Sequence, residues 1–224
     1  MFLLYWKSHL ASNRFLIYKN KNRMQHPSKE RTLVIIKPDG IQRNLIGEII
    51  NRYERVGLKL VGVKMVVPTE EHIEKHYTLD PQWRTVTGEK TIKSYQEKGL
   101  TPWSMDPLEI TGKILNNLKK YMTAGPVVAM VWQGAHAVKI CRKITGSTEP
   151  LTSDMGSIRG DLVLDSYQMS DNDDRAVRNL IHASGSVEEA NMEIDHWFKK
   201  EELIEYRLIS EQMLYDVNLD GILE

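Results

Sequence analysis

The chain has 224 residues, a length typical of one domain with room for insertions or of two small domains. Its 30 basic residues balance 30 acidic residues, and this zero net charge argues against nucleic acid or an anionic membrane as the main partner, since both favour a basic surface. The single cysteine excludes a disulfide within the chain and fits a reducing compartment, and no apolar run approaches the roughly 18 residues of a membrane span.

The first 29 residues differ in charge from the rest, because they contain six Lys or Arg residues and no Asp or Glu. Such a segment is typical of an organelle transit peptide or of a loose basic tail, and translation from Met24 is a third interpretation. We favour the tail. We therefore expect residues 1–30 to be an extension without stable structure and residues 31–224 to be the folded domain.

Strand and helix patterns alternate in the first third of the domain. The apolar run in "RTLVIIKPDG" predicts a buried strand ending in a turn, and "LIGEIINRYERVG" has helical spacing. "LKLVGVKMVVP" alternates like a strand with one buried face, and "TEEHIEKHY" predicts a helix with Thr69 as its N-cap. His72 and His76 in that helix have i, i+4 spacing, but the order differs from H-E-x-x-H, so we expect an exposed helix face.

The middle of the chain is less regular. Residues 78–112 contain Pro81, Pro102 and Pro107, and we interpret them as an insertion with little core of its own. Beyond it, "ILNNLKKYMTAGP" predicts a helix, "PVVAMVWQG" a very apolar strand, "AHAVKICRKITG" a short helix and "STEPLTSDMGSIRGD" a loop. "SVEEANMEIDHWF" predicts an amphipathic helix whose Ser186 and Glu189 form a capping box. This order of elements predicts an α+β sheet with helices on one face.

The sequence has no glycine loop that could hold phosphates, since neither G-x-x-x-x-G-K-[ST] nor G-x-G-x-x-G is present. A phosphate would then be held by side chains, mostly Arg, whose planar fork matches phosphate oxygens. The candidates are Lys37, Arg142 and Arg159. Taken singly, each is more typical of a solvated surface charge.

The segment "RNLIHASGS" places His182 between apolar and small residues. A lone histidine of this kind is most often a core residue. However, "RNLI" can form a strand that ends at His182, and a helix starting near Val187 would direct N–H groups and partial positive charge toward a phosphate. Glu193 could orient the imidazole, and a neutral imidazole is a competent nucleophile. The residues alone leave both interpretations open.

Several segments together carry a family resemblance. "RTLVIIKPDGIQRNLIGEII", "HY" at 76–77, "YMTAGPVVAMVWQG", "STEP", "GSIRGD" and "RNLIHASGSVEEANMEIDHWF" resemble the nucleoside diphosphate kinases, in that family's order, over most of residues 31–215. The resemblance implies a ferredoxin-like βαββαβ antiparallel sheet, here with insertions at about 78–112 and 163–177. It also implies transfer of the γ-phosphate of a nucleoside triphosphate such as ATP to a nucleoside diphosphate.

The resemblance further implies a ping-pong mechanism through a phosphohistidine, which maintains nucleoside triphosphate pools. By position, His182 resembles the phosphorylated nucleophile, Glu193 the partner that holds its ring, and Lys37 the residue that reaches the transferred phosphate. Mg²⁺ is implied as a cofactor carried by the nucleotide, without an assigned protein ligand. A cytoplasmic homo-oligomer, a hexamer or tetramer, is implied as well.

The resemblance assigns nucleotide and phosphate contacts to five more residues. Arg142, Thr148 and Arg159 correspond to a phosphate clamp. Tyr77 corresponds to a support beside Lys37, and Asn179 to a contact with the sugar hydroxyl.

The chain also departs from the family pattern. The aromatic residue that contacts the base falls in a lengthened segment, where Trp83, Tyr95 and Trp103 are all candidates. After His182 the chain has Ala-Ser-Gly where the family often has Gly-Ser-Asp, so an acidic residue that helps hold magnesium or order the site is missing. Met155 stands where the family usually has a proline that takes part in subunit contacts.

Two other classes of function are compatible with the same fold. A nucleotide-sensing or scaffold module would bind nucleotide without turnover, and its insertions would be partner surfaces. A ferredoxin-like nucleic-acid binder would need a basic or aromatic-rich strand surface, which the composition does not favour.

Overall fold

The structure is a computed structural model that describes residues 27–216. The predictions for residues 1–26, which include the basic tail, the transit peptide and the start at Met24, concern residues outside this range. Pro27–Lys29 form a short 3₁₀ helix. Glu30 lies against the domain, because its carbonyl accepts a hydrogen bond from the Gly134 N–H at 3.0 Å and its carboxylate accepts one from the Val138 N–H at 2.9 Å.

The described residues form one four-stranded sheet of β1 (Arg31–Ile36), β2 (Lys59–Val66), β3 (Val127–Gln133) and β4 (Ile181–Ala183). The strand order is β2-β3-β1-β4, and every neighbouring pair is antiparallel. The two central strands, β1 and β3, are almost entirely buried because they have the most apolar sequences. The predicted α+β fold with a ferredoxin-like antiparallel sheet is confirmed.

Helices connect these strands. In chain order within residues 27–216, the α-helices are α1 (Pro38–Gln42), α2 (Ile46–Glu54), α3 (Glu70–Tyr77), α4 (Trp83–Glu97), α5 (Pro107–Met122), α6 (Ala137–Thr145), α7 (Ile158–Leu162), α8 (Tyr167–Asn172), α9 (Val187–Trp197) and α10 (Glu211–Tyr215). The predicted N-caps are present, because the Thr69 hydroxyl accepts from the His72 N–H and the Ser186 hydroxyl accepts from the Glu189 N–H.

Helices cover both faces of the sheet, which corrects the prediction of helices on one face. Val34 and Ile36 of β1 pack in a core with residues of α2, α6 and α7. Leu33 and Ile35 pack in a second core with residues of α3, α5 and α9. Since successive side chains of a strand point to opposite faces, an unbroken apolar run such as "LVII" requires a cover on each side.

Residues 78–112 are more ordered than the sequence indicated. They contain α4 and the first turn and a half of α5, and Ile92 and Ile110 are buried between these helices. The prolines lie at helix boundaries rather than within helices, since Pro107 occupies the first position of α5 after the cap Asp106. The expected loop at 147–161 likewise contains a 3₁₀ helix at Pro150–Thr152 and the first residues of α7.

No helix within residues 27–216 is both long enough and apolar enough to cross a lipid bilayer. Cys141 of α6 has a buried free thiol that packs in the core.

Candidate active site

The sheet register sets the direction of the His182 side chain. His182 in β4 lies opposite Ile35 in β1, so its ring points to the face covered by α3 and α9. Just before it, Leu180 has a φ of +62°, which is uncommon for a branched residue. Its N–H donates to Asp39 Oδ2 at 3.2 Å and its carbonyl accepts from the Lys37 N–H at 2.8 Å. These two hydrogen bonds of the "KPDG" segment connect the end of β1 to the start of β4.

Glu193 of α9 holds the His182 ring. His182 Nε2 lies 2.8 Å from Glu193 Oε1, and the Ser184 hydroxyl donates to Glu193 Oε2 at 2.6 Å. Burial, followed by the charge of Lys37, lowers the pKa of His182, so the imidazole is neutral near pH 7. With its Nε2–H donated to the carboxylate, a neutral ring carries its free lone pair on Nδ1. That lone pair is the nucleophilic position of the residue.

His76 is buried, which corrects the prediction that it lies on an exposed helix face. It is 4% exposed, and its Nε2 lies 3.6 Å from Glu193 Oε1, too long for a hydrogen bond. Its ring packs edge-on against that of His182 with centroids 4.7 Å apart. The sequence held a signal for this burial, because Ile73, His76 and Tyr77 have the i, i+3, i+4 spacing of an inward helix face.

Lys37 places a buried ammonium group beside this histidine. Its Nζ donates to Asn179 Oδ1 at 2.7 Å and lies 5.1 Å from the centre of the Tyr121 ring. Burial, together with the charge of Arg159, lowers the pKa of Lys37 to about 7. The Asn179 side chain also donates from Nδ2 to the Thr148 carbonyl at 2.8 Å, so it links Lys37 to the loop after α6.

Arg159 is held mainly by backbone carbonyls. Its Nε–H donates to the Asn179 carbonyl, and its terminal nitrogens donate to the carbonyls of Gly146, Ser147 and Ile181. Four of its five N–H groups are therefore engaged by the described residues, which leaves one to meet a ligand. Burial, then the neighbouring Arg142, lowers its pKa to about 10, so the guanidinium remains charged at neutral pH.

Arg142 is more available than Arg159. It lies on α6, is half-buried, and donates from one terminal nitrogen to the Ala183 carbonyl at 3.2 Å. The residue also lines the cavity described below. Two guanidinium groups and one ammonium group therefore converge beside His182, an arrangement that attracts a multiply charged anion.

One cavity of about 1140 Å³ joins these groups. All the site residues named from the sequence line it: Lys37, Tyr77, Arg142, Thr148, Arg159, Asn179, His182 and Glu193. Residues from seven parts of the chain thus converge on one opening large enough for a small charged ligand.

The outer part of the cavity is formed by α4, α5 and α8. The three aromatic candidates for base stacking, Trp83, Tyr95 and Trp103, all line it. The Trp83 ring lies 5.5 Å from that of Tyr77, and the Tyr95 hydroxyl donates to Asp171 Oδ2 at 2.7 Å. Because Asp171 belongs to α8, the two predicted insertions contact each other across the mouth of the cavity.

The start of α9 carries a local acidic group. The Glu189 carboxylate accepts from the Gly185 N–H at 2.7 Å, rather than from Ser186 as in a complete capping box. A Cβ at position 185 would lie 2.6 Å from this carboxylate, so a side chain at position 185 would compete with Glu189. The Glu189 carboxylate thus lies next to the position where the expected acidic side chain is missing.

Comparison with known proteins identifies the family. The family model described as nucleoside diphosphate kinase matches residues 30–98 and 109–203. A nucleoside diphosphate kinase of Pyrobaculum aerophilum is 46% identical over 180 residues, which cover 79% of this chain and 98% of that protein. One of Eremothecium gossypii is 40% identical over 189 residues, 84% of this chain and 99% of the relative. This chain belongs to the nucleoside diphosphate kinase family.

Solved structures of nucleoside diphosphate kinases have the same fold. An NDP kinase from Pyrobaculum aerophilum superposes with a TM-score of 0.75 at 45% identity, covering 79% of this chain and all of that one. A Borrelia burgdorferi nucleoside-diphosphate kinase, a transition state mimic with bound vanadate and ADP, superposes with a TM-score of 0.68 at 32% identity, over 83% and 96% of the two chains. As a member of this family, the protein transfers phosphate between nucleotides.

Within this nucleoside diphosphate kinase site, sequence reasoning missed four residues. They support the site from behind: Asp39 accepts from the Leu180 N–H, Tyr121 accepts from the Asn179 N–H, and Trp197 donates to His76, whose ring packs against that of His182. Each contact joins residues far apart in the chain, so local spacing did not reveal the partners. Residues 99–108 lie outside the matched segments of the family model and inside the predicted insertion at 78–112.

Proposed function

We propose that this protein moves the γ-phosphate of ATP or another nucleoside triphosphate to a nucleoside diphosphate through a phosphohistidine at His182, and thereby maintains nucleoside triphosphate pools. One observation carries the proposal: the His182 ring is held through Nε2 by Glu193 at 2.8 Å, which leaves the Nδ1 lone pair beside Lys37, Arg142 and Arg159 in one cavity. A neutral, oriented imidazole next to an anion-binding group of cations suits in-line phosphoryl transfer.

In the first half-reaction, the Nδ1 lone pair of His182 forms a bond to the γ-phosphorus as the bond to the bridging oxygen breaks. The electron pair of that bond leaves with the nucleoside diphosphate, and the ring becomes positively charged while keeping its Nε2–H on Glu193. In the second half-reaction, a terminal phosphate oxygen of the acceptor diphosphate attacks the phosphorus. The Nδ1 bond breaks, and its electron pair returns to the ring.

The binding residues contribute positioning and charge. Lys37 and Arg142 offer donors to the phosphates, Arg159 offers its one remaining N–H, and the Thr148 hydroxyl lies on the same wall. A preorganised donor of this kind lowers the activation barrier by on the order of 3 kcal/mol. Asn179 keeps one amide hydrogen free for a sugar hydroxyl after its bonds to Lys37 and Thr148. Tyr77 supports this wall through its packing against His76 and Trp83.

The residues fit Mg²⁺ as an ion carried by the phosphates. The hard oxygen donors that Mg²⁺ prefers are present on the cavity wall in the carboxylates of Glu188 and Glu189, which would hold its waters. When bound, Mg²⁺ would neutralise charge on the phosphates.

The protein is proposed to act as a homo-oligomer, a hexamer or tetramer, in the cytoplasm. Strand β2 lies at one edge of the sheet, and Val63, Met65 and Val67 near its end are each more than half exposed. Exposed apolar side chains grouped at the end of an edge strand are typical of a subunit contact. The buried free thiol of Cys141 fits a reducing compartment. The mass of the protein in solution tests the assembly, and a monomeric mass would contradict it.

A transfer assay tests the proposed reaction. Purified protein is mixed with γ-labelled ATP and GDP, and labelled GTP is measured over a matrix of both substrate concentrations. A ping-pong mechanism gives parallel lines in double-reciprocal plots, and His182→Ala is expected to abolish transfer. Intersecting lines, or transfer by His182→Ala, would contradict the mechanism. Tight nucleotide binding by the wild type without turnover would instead support a nucleotide-sensing module.

A further inference from the structure

The tautomer of His76 is fixed by its surroundings. Trp197 Nε1 lies 3.1 Å from His76 Nδ1 and donates its hydrogen to it. An indole nitrogen is only a donor, so Nδ1 must be the acceptor and the neutral ring must carry its proton on Nε2. Burial lowers the pKa of His76 to about 3, which agrees with a neutral ring. The Nε2–H therefore points toward Glu193 Oε1 at 3.6 Å, with no other partner among the described residues.

A metal site is the obvious alternative for this cluster. The ligand atoms of His76, His182 and Glu193 lie within 4.8 Å of one another. A neutral imidazole binds a metal only through a nitrogen lone pair, whereas the Trp197 donor places the His76 proton on the nitrogen that faces the cluster. The hydrogen-bond donors thus favour a network centred on the carboxylate over a metal centre.

We propose that Trp197 and His76 are positioning residues for the phosphorylated histidine, a proposal that rests on the function proposed above. Trp197 fixes the His76 tautomer, and His76 directs its Nε2–H at Glu193. At 3.6 Å from Oε1 this N–H makes no hydrogen bond, but its dipole faces the Glu193 carboxylate. Together with the donors of His182 and Ser184, it favours the ionised and correctly oriented carboxylate.

This network matters because Glu193 is a buried carboxylate. Its burial raises its pKa, so it needs donors to remain ionised. The groups that act on it come from four elements and one adjoining residue: His76 of α3, Arg142 of α6, His182 of β4, Ser184 just after β4, and His196 of α9. Lys37, Arg159 and Glu189 act on the His182 ring itself. Of these groups, only His76 has its protonated nitrogen set by an indole donor.

The consequence is a defined pH dependence. A protonated Glu193 accepts only weakly from the His182 Nε2–H and no longer balances the positive charge that the ring gains on phosphorylation, so phosphorylation falls as the pH drops through the Glu193 pKa. Without the His76 donor that pKa rises, and the acid limb of the rate profile moves to higher pH. A hydrogen bond to a charged group changes an ionisation equilibrium by roughly tenfold, and the 3.6 Å contact lies just beyond that distance, so the expected shift is up to about one pH unit.

The experiment is a rapid-quench measurement of His182 phosphorylation by labelled ATP in a single turnover between pH 5 and 9. Trp197→Phe and His76→Leu are expected to move the acid limb upward by up to about one unit, with half-saturating ATP unchanged. His76→Gln, whose amide can donate to Glu193, is expected to restore the wild-type limb. Trp132→Phe is the matched control, because Trp132 is a fully buried indole on the other face of the sheet whose Nε1 has no partner among the described residues.

A wild-type acid limb in both Trp197→Phe and His76→Leu would overturn the proposal. Equal shifts in His76→Gln and His76→Leu would overturn it too, because packing alone would then explain the effect. If the wild-type protein takes no phosphate at any pH, the proposed function fails and this inference fails with it. If the wild type is phosphorylated but the variants titrate like it, only this inference fails.

Discussion

At the scale of single residues, Lys37 has the most unusual environment. Its ammonium group is buried and lies near the Arg159 guanidinium, and its pKa is lowered to about 7 by burial first and that charge second. The positive charge is therefore present below pH 7 and is lost as the pH rises through 7. A bound phosphate favours the charged form, so nucleotide binding raises the pKa again.

We predict that nucleotide binding above pH 7 takes up a proton at Lys37. At pH 8 the uptake approaches roughly one proton per bound nucleotide, because the free side chain is then mostly neutral. Affinity falls with rising pH in the same range. Calorimetric titrations with ADP in buffers of different ionisation enthalpy measure the uptake. Lys37→Met is the control that abolishes it, and equal uptake by the two proteins would refute the assignment.

Residue roles were only partly predictable from the sequence. His182, Lys37 and Glu193 were named from motifs, and the structure places them in one cavity, but His182 taken alone was ambiguous. The burial of His76 was predicted wrongly although its helical spacing with Ile73 indicated it, and its partner Trp197, 121 residues away, had no signal in the sequence. Side-chain partners of this kind depend on tertiary packing, which no local spacing encodes.

At the scale of elements, the pair formed by α4 and α5 depends on a glycine. A Cβ at Gly88 would lie 2.1 Å from the Pro107 carbonyl oxygen, so the two helices approach closely only because position 88 has no side chain. Gly88 belongs to α4 and Gly112 to α5. No atom lies within 4 Å of the position that a Cβ would take at Gly112. Two helical glycines on the same helix pair thus have opposite expected responses to alanine.

Gly88→Ala is expected to lower the free energy of unfolding by about 1–3 kcal/mol, because the added methyl group forces the helices apart. Gly112→Ala is expected to raise it by about 0.5–1 kcal/mol, since alanine favours the helix and meets no clash. Urea denaturation of both variants and the wild type measures the difference. Similar free energies for the two variants would show that α4 does not pack on α5 as described.

Elements with strong local signals were predictable, and α4 was not. The capped helices that begin at Thr69 and Ser186 and the apolar central strands were all recognised from their own residues. In α4, small and polar residues separate the few apolar ones, so it has no continuous apolar stripe and its position is set by contacts with α5 and α8. A helix stabilised in this way cannot be recognised from the spacing of its apolar residues.

At the scale of the whole molecule, the antiparallel sheet brings the chemistry together. Lys37 follows β1 and Asn179 precedes β4, 142 residues later, yet their side chains are 2.7 Å apart because β1 and β4 are neighbours. The ferredoxin-like antiparallel sheet followed from the resemblance to the family rather than from periodicity. The second helical layer was not predicted, because an apolar strand sequence indicates burial without showing whether helices pack on one face of the sheet or on both.

His182 is expected to carry the phosphate between the two nucleotides. The most direct measurement incubates the protein with γ-labelled ATP, removes nucleotide, and maps the label after proteolysis. We predict about one acid-labile, alkali-stable phosphate per chain on the peptide that contains His182, which is discharged by added nucleoside diphosphate, and none in His182→Ala. Equal labelling of wild type and His182→Ala, or labelling of neither, would contradict the account.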